Sequence, residues 1–250
     1  MNAVVLAGSK GTSPLAEAFG ETNKAFITLQ GKPMINYVLE VLESLEEIEE
    51  VVVVGPLQEL QEIEEKPSLK FVPEKGDIID NVLQGVAGLS LGKPVILLTS
   101  DIPLITREAL RDFIKRSQDL EADFCYPILR KKNCEEKYPG GVRTYARLKE
   151  GSFTGGNVFF IRPQVVESTA HKAGEFIELR KKPHLLALKL GIIFILKFIF
   201  KRLTVKEVEE KVSRLFGVKA RAVITSYPEI GMDVDKVEDL KLVEGALSNK

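Results

Sequence analysis

A glycine-rich turn near the N-terminus is the first part of this sequence suited to chemistry on phosphates. The apolar run "AVVLA" leads into "GSKGTSP", so that Gly8, Ser9, Lys10 and Gly11 follow a predicted strand. Backbone amides in such a turn can surround a phosphate, and glycines permit its close approach. Both familiar phosphate motifs, GxxxxGK[ST] and GxGxxG, are missing. A plain surface turn with a solvated lysine is therefore an equal alternative.

A second lysine follows in "NKAFITLQGKPMI", where Lys24 precedes an apolar segment. Placed beside the glycine turn, Lys24 would neutralise further phosphate charge. The alternative is again a solvated surface lysine without a ligand.

A carboxylate closes the apolar run in "VILLTSDIPLIT", where Asp101 follows a predicted strand. Open α/β sheets bind ligands at the carboxyl ends of their strands. An aspartate there is suited to hold a divalent cation between protein and phosphate oxygens. Asp101 could instead only cap the following turn, but this does not explain why it ends so apolar a strand, and we favour the metal.

A pair of carboxylates occurs in "GMDVDKVEDL", where Asp233 and Asp235 alternate. In an extended segment both would face one side. One of them could complete a two-carboxylate magnesium site with Asp101, while Asp235 could also cap the helix that follows.

The composition excludes several classes of function. The chain has 250 residues and a formal net charge of −1, so no global basic field recruits nucleic acid. Two cysteines are too few for a disulfide framework or a zinc cage, and two histidines give thin support to relay catalysis. The N-terminus lacks the basic lead of a signal peptide, and we expect a cytoplasmic protein.

Short apolar runs alternate with helical patterns along the chain, which predicts an α/β fold with a largely parallel sheet covered by helices. The predicted strands are residues 3–7, 51–55, 69–72, 95–99, 123–127, 157–161 and 221–224. The predicted helices are residues 33–45, 78–89, 107–116, 163–173, 205–216 and 237–247. Residues 131–154 are predicted to be a loop with an edge hairpin.

Residues 185–200, "LLALKLGIIFILKFIF", are too short and too charged for a confident membrane span. We expect a helix that buries more than one face. Burial against the protein ranks first, contact with a membrane surface second because the flanks are basic, and a homodimer interface is also open. The chain is predicted to be a single domain, residues 1–250, with a hydrophobic helical insertion at about 175–216.

The order of these motifs resembles the MobA-like NTP transferases. "LAGSKGTSP", "NKAFITLQGKPMI", "LLTSDIPLI", "GGNVFFIRP" and "DVDKVEDL" follow one another across nearly the whole chain. The resemblance implies a GT-A-like nucleotidyltransferase fold, a Rossmann-like three-layer sandwich with a mixed, mainly parallel central sheet. It also implies Mg²⁺-dependent transfer of an NMP group from an NTP to a small phosphorylated acceptor, with release of pyrophosphate.

The resemblance also implies roles for particular residues. The backbone of Leu6, Ala7 and Gly8 would contact the base or ribose, and residues 8–11 would wrap the triphosphate. Lys24 would bind phosphate and act in catalysis with Asp101. The remaining implied roles are nucleotide binding by Asn81 and Gly85, metal binding by Asp101 and Asp235 with Asp233 in reserve, and acceptor binding by Gly155, Gly156 and Asn157.

The glycine turn departs from the family pattern. Ser9 replaces a glycine, and the usual arginine is missing, with Lys10 nearby. A lysine offers a point charge where an arginine would give a fork. A non-catalytic nucleotide- or sugar-phosphate-binding module of the same fold, with or without membrane association, is therefore the alternative function, and a glycosyltransferase of the same fold ranks third.

Overall fold

The computed structural model describes residues 1–8, 13–64, 66–90, 92–179 and 183–248. In these ranges the strands are β1 (Asn2–Leu6), β2 (Thr28–Leu29), β3 (Lys32–Pro33), β4 (Glu50–Gly55), β5 (Leu69–Pro73), β6 (Val95–Thr99), β7 (Phe124–Arg130), β8 (Ala146–Leu148), β9 (Gly151–Gly155), β10 (Val158–Ile161) and β11 (Ala220–Thr225). The α-helices are α1 (Pro14–Ala18), α2 (Met34–Glu43), α3 (Leu57–Leu60), α4 (Ile78–Ala87), α5 (Arg107–Asp119), α6 (Lys131–Lys137), α7 (Val166–Leu179), α8 (Pro183–Leu190), α9 (Ile192–Ile199), α10 (Val205–Phe216) and α11 (Val237–Leu247).

The main sheet is mixed and mostly parallel. Its strand order is β5-β4-β1-β6-β10-β7-β9-β8, and β11 pairs with β7. The neighbours β5, β4, β1 and β6 are parallel, whereas β10 runs antiparallel to both β6 and β7. β1 is central and buried on both faces, which explains its uninterrupted apolar sequence.

Helices cover both faces of the sheet. Alternate residues of β1 point to opposite sides, so Val5 joins a core with α2 and α5, while Val4 joins a second core that α4 borders. A third cluster around Met34, Val234 and Leu240 packs α11 beside the sheet. This three-layer α/β architecture confirms the predicted fold class.

The seven predicted strands are all present within two or three residues of their expected ends, as β1, β4, β5, β6, β7, β10 and β11. Residues 131–154 contain the expected edge hairpin, formed by β8 and β9, and also helix α6, which the sequence interpretation missed. α6 is short and strongly charged, so it gives little apolar periodicity.

The expectation of one helix over residues 185–200 is wrong. The segment forms α8 and α9, which Gly191 separates. Gly191 has φ +91° and ψ 148°, a backbone conformation that residues other than glycine rarely adopt. The glycine therefore breaks the helix. A helical insertion at about 175–216 stays a prediction.

The expectation that this segment is buried against the rest of the protein is also wrong. None of its large apolar side chains is fully buried, and eight of them are exposed, from 38% for Leu185 to 78% for Leu188. We call them the α8–α9 surface: Leu185, Leu188, Ile192, Ile193, Leu196, Phe198, Ile199 and Phe200. None of the helices in the described residues has the length and apolarity needed to cross a membrane.

Candidate active site

The carboxyl ends of β1 and β6 bring the start of the glycine turn and the Asp101 motif together. The strands are parallel neighbours with Leu6 opposite Thr99, and the Ser100 amide donates to the Leu6 carbonyl at 3.1 Å. Ala7 and Gly8 therefore leave the sheet beside Ser100 and Asp101. This is the edge at which parallel sheets hold ligands.

Lys24 is fixed to this edge by the residue before it. Asn23 caps a short 3₁₀ turn by accepting a hydrogen bond from the Ala25 amide at 2.9 Å, and its side-chain amide donates to the Ala7 carbonyl at 2.6 Å. Asn23 is buried, so these bonds hold the turn against the end of β1. Sequence reasoning did not select Asn23, although an asparagine before such a turn is a recognisable cap.

The Lys24 ammonium joins two of the three predicted carboxylates. Its Nζ lies 2.6 Å from Asp101 Oδ2 and also donates to Asp235 Oδ1. Burial alone would lower the pKa of Lys24, but the negative charges of Asp101 and Asp235 outweigh it and raise that pKa above its usual value. Lys24 is therefore a fixed positive charge.

Asp101 is held from both sides. Thr99 Oγ1 donates to one oxygen of its carboxylate, and the Asp101 backbone carbonyl accepts a hydrogen bond from the Val234 amide at 3.0 Å. The second contact ties the end of β6 to the "DVD" segment, and so brings Asp233 and Asp235 to the same edge.

The pKa values of the two aspartates of that segment are shifted in opposite directions. Burial, followed by the negative charge of Asp101, raises the pKa of Asp233, and Arg143 opposes this through an Nη2–Oδ1 contact of 3.0 Å. Burial also acts to raise the pKa of Asp235, but the hydrogen bond from Lys24 reverses the direction and lowers it. Carboxylates that share one site repel one another, so the pKa of one is raised while another stays ionised.

A cavity of about 350 Å³ opens beside these charges. Its wall includes Leu6, Ala7, Gly8, Asn81 and Asp101, together with Ile177 of α7. Asn81 is buried and accepts a hydrogen bond from the Lys75 amide at 2.7 Å. The volume falls in the range of pockets that hold small ligands.

Comparison with known protein families identifies the family of this chain. The model of the MobA-like NTP transferase domain matches residues 3–182. The chain belongs to the MobA-like NTP transferase family. It is a nucleotidyltransferase, and the family and enzyme class expected from the sequence are confirmed.

Solved structures agree with this assignment. A hypothetical transferase from Thermus thermophilus is 37% identical, with a TM-score of 0.83 over 96% of this chain and 98% of that chain. A 4-diphosphocytidyl-2C-methyl-D-erythritol synthase from Anaerococcus prevotii is 12% identical, with a TM-score of 0.60 over 99% and 97%. A nucleotidyl transferase from Methanothermobacter thermautotrophicus is 14% identical, with a TM-score of 0.56 over 100% and 98%. The last two show a shared fold only. A search of curated proteins gave no match.

The remaining predicted site residues of this MobA-like transferase lie at different distances from the charged edge. Gly85 faces the sheet, where an added Cβ would lie 2.4 Å from Val4 Cγ1, so packing explains this glycine. Gly155 ends β9, and Gly156 packs against Ile230. Ser9, Lys10 and Gly11 lie outside the described residues.

Asn157 sits next to the charged edge. Its backbone carbonyl accepts a hydrogen bond from the Thr99 amide at 3.2 Å, two residues before Asp101. Its buried side-chain Nδ2 has no hydrogen-bond partner among the residues that the structure describes. A buried donor of this kind requires a water molecule or a ligand as its partner.

The carboxylates of the transferase fit a magnesium ion through their donor chemistry. In the described part of the chain, no group of three or more His, Cys, Asp or Glu side chains is arranged as a metal cage. Mg²⁺ is usually bound by one or two carboxylates together with substrate phosphates, which does not require such a cage. Asp101 and Asp235, held together through Lys24, supply that number of oxygen ligands.

Proposed function

We propose that this MobA-like transferase moves an NMP group from an NTP to a small phosphorylated acceptor and releases pyrophosphate, with Mg²⁺ as cofactor. The observation that carries the proposal is the contact of one ammonium, Lys24, with both Asp101 and Asp235 beside a cavity at the sheet edge. Positive charge and carboxylates at one point are what a triphosphate bound through a cation requires.

The nucleotide binds along the end of β1. The backbone of Leu6, Ala7 and Gly8 contacts the base or ribose, and the amides that follow in the sequence surround the triphosphate. Asn81, which lines the cavity, contributes to the same subsite. Gly8 leaves Asn81 in its place, because an added Cβ would lie 2.7 Å from Asn81 Nδ2 and would displace that side chain.

Asp101 and Asp235 would hold the magnesium ion, with Asp233 as the reserve ligand. When bound, the ion neutralises charge on the phosphate oxygens and helps to orient them. Lys24 adds a fixed positive charge at the same place, because its raised pKa keeps it protonated at every physiological pH.

The transfer needs no protein nucleophile. An ionised oxygen of the acceptor phosphate attacks the α-phosphorus of the NTP, and a new P–O bond forms there. The bond from the α-phosphorus to the bridging oxygen breaks, and pyrophosphate leaves with the electron pair. The protein contributes position and charge neutralisation.

The acceptor lies on the side of Gly155, Gly156 and Asn157. The proposal rests on Asn157, whose buried amide nitrogen lacks a hydrogen-bond partner among the described residues and lies close to the end of β6. We place the reaction in the cytoplasm, where nucleoside triphosphates are available.

The decisive experiment compares Asp101→Asn with Asp119→Asn, an exposed aspartate at the end of α5 that serves as the control. Pyrophosphate release is measured with a panel of NTPs and phosphorylated acceptors, with and without Mg²⁺. We expect the control to match the wild type and Asp101→Asn to lose at least a hundredfold in kcat/KM.

Two results would overturn the proposal. Unchanged turnover in Asp101→Asn would remove the role of the carboxylate. Tight NTP binding by the wild type without any turnover across the panel would favour a non-catalytic binding module.

A further inference from the structure

Helices α8 and α9 expose apolar side chains, whereas both of their lysines are paired with the rest of the protein. The two charged residues between positions 185 and 200, Lys189 and Lys197, bond to neighbouring helices of the protein. Lys189 Nζ lies 2.5 Å from Glu175 Oε2 of α7, and Lys197 bonds to Glu207 of α10. The α8–α9 surface, which is apolar, faces outward instead.

The exposure is concentrated in one place. Fourteen large apolar side chains are exposed in the described residues, and eight of them form the α8–α9 surface within sixteen positions. Ile192 and Ile193 are each 70% exposed, and Phe200 is 67% exposed. Scattered exposed apolar residues are normal, whereas a contiguous patch marks a contact surface.

The charged residues of the segment itself are all of one sign. Residues 180–203 contain seven Lys and Arg and no Asp or Glu. Lys189 and Lys197 are paired with their glutamates. Lys201 and Arg202, which are exposed at the end of the segment, therefore form a basic rim of this surface.

This charge pattern distinguishes a lipid surface from a second copy of the chain. A two-fold interface places the same patch on both subunits, so the basic rims would repel each other with no acidic residue of the segment to pair with. Anionic lipid headgroups complement the same rim, and each nearby Lys or Arg adds to the attraction.

We propose that the α8–α9 surface docks on an anionic lipid bilayer. The leucine, isoleucine and phenylalanine side chains enter the boundary between headgroups and acyl chains, and Lys201 and Arg202 contact the headgroups. The helices lie in the plane of the interface, held to the protein by the two lysine–glutamate pairs.

Docking would keep the candidate active site near the membrane. Helix α7 lines the cavity with Gly174, Ile177 and Glu178, and it leads along the chain to α8. Its 14 residues span only about 20 Å, which limits the distance between the cavity and the docked helices. The docking does not depend on the proposed reaction and is tested without it.

The test is flotation of the full-length protein with vesicles of phosphatidylcholine mixed with phosphatidylglycerol. The variant Ile193→Glu, Phe200→Glu is compared with Leu57→Glu, Val142→Glu, which adds the same charge at exposed apolar positions elsewhere. We expect the wild type and the control to float, and the first variant to bind at least about tenfold more weakly.

A second arm tests the basic rim. Lys201→Gln, Arg202→Gln should weaken binding by about fivefold for each residue, and vesicles of phosphatidylcholine alone should bind the wild type less than the mixed vesicles. The proposal is overturned if the wild type stays unbound, or if all variants float equally. It is also overturned if sedimentation shows that the wild type is a dimer without affinity for vesicles and that Ile193→Glu, Phe200→Glu is a monomer.

Discussion

Lys24 Nζ lies 2.6 Å from Asp101 Oδ2, although the two residues belong to motifs that are distant in the sequence. The contact is possible because Asn23 fixes the start of the lysine turn to the end of β1, and β6, which carries Asp101, is the parallel neighbour of β1. Two strand ends and one capped turn thus assemble the charged centre of the site.

Replacing Lys24 by methionine should remove a positive charge that stabilises the transferring phosphates. We expect kcat to fall about a hundredfold to a thousandfold, the range seen when one preorganised electrostatic group is lost. Steady-state pyrophosphate release measures this. Lys32→Met is the matched control, because Lys32 pairs with the exposed Glu40 away from the cavity. A kcat for Lys24→Met within twofold of the control would contradict the role of the ammonium.

The main elements of the fold and the three aspartates could be predicted from the sequence. β1 and β6 have continuous apolar sequences. This pattern is typical of parallel strands that are buried on both faces. The order of the motifs indicated the family. Asp101 and Asp235 were expected to converge, and in the structure both contact Lys24.

Other features depend on contacts that a single sequence does not contain. Arg143 reaches Asp233 from the segment between α6 and β8, and nothing in its local sequence indicates a partner ninety residues away. The expected burial of residues 185–200 is wrong because apolar content alone indicates burial, and the sequence does not show that Glu175 and Glu207 pair with the two lysines of the segment at the surface.

Gly8→Ala should weaken nucleotide binding with little change in stability. The new methyl group would lie 2.7 Å from Asn81 Nδ2 and 2.8 Å from Glu74 Oε2, and both are ends of side chains that can move. The backbone of Gly8 is outside the positive-φ region, so alanine fits it. We expect roughly tenfold weaker NTP binding by calorimetry, because Asn81 is displaced. An unchanged affinity would argue that Asn81 does not contact the nucleotide.

Gly85→Ala, unlike Gly8→Ala, should lower the stability of the protein. Its methyl group would enter the core 2.4 Å from Val4 Cγ1 and 3.0 Å from Val54 Cγ2, and overpacking of this kind costs about 1–3 kcal/mol. Gly245→Ala in α11 is the control, since a Cβ there meets no atom within 4 Å and should stabilise the helix by up to about 1 kcal/mol. Urea unfolding measures both. Equal stability of the two variants would contradict the packing interpretation of Gly85.

Asp233→Asn should stabilise the protein at neutral pH when no divalent cation is present. Burial and the charge of Asp101 raise the pKa of Asp233 in the folded state above its unfolded value, so ionisation of this carboxyl opposes folding. The opposition is complete above the folded-state pKa and disappears as the pH falls below the unfolded value near 3.9. A neutral isostere removes it, although the ion pair with Arg143 is lost as well.

The measurement is the free energy of unfolding in urea for the wild type and Asp233→Asn, with chelator, from neutral to acidic pH. We expect the variant to be the more stable protein at pH 7 and the advantage to shrink steadily as the pH is lowered. A gap that stays constant with pH would mean that Asp233 does not titrate differently in the folded chain. A variant that is less stable at pH 7 would show that the ion pair with Arg143 outweighs burial and the repulsion by Asp101.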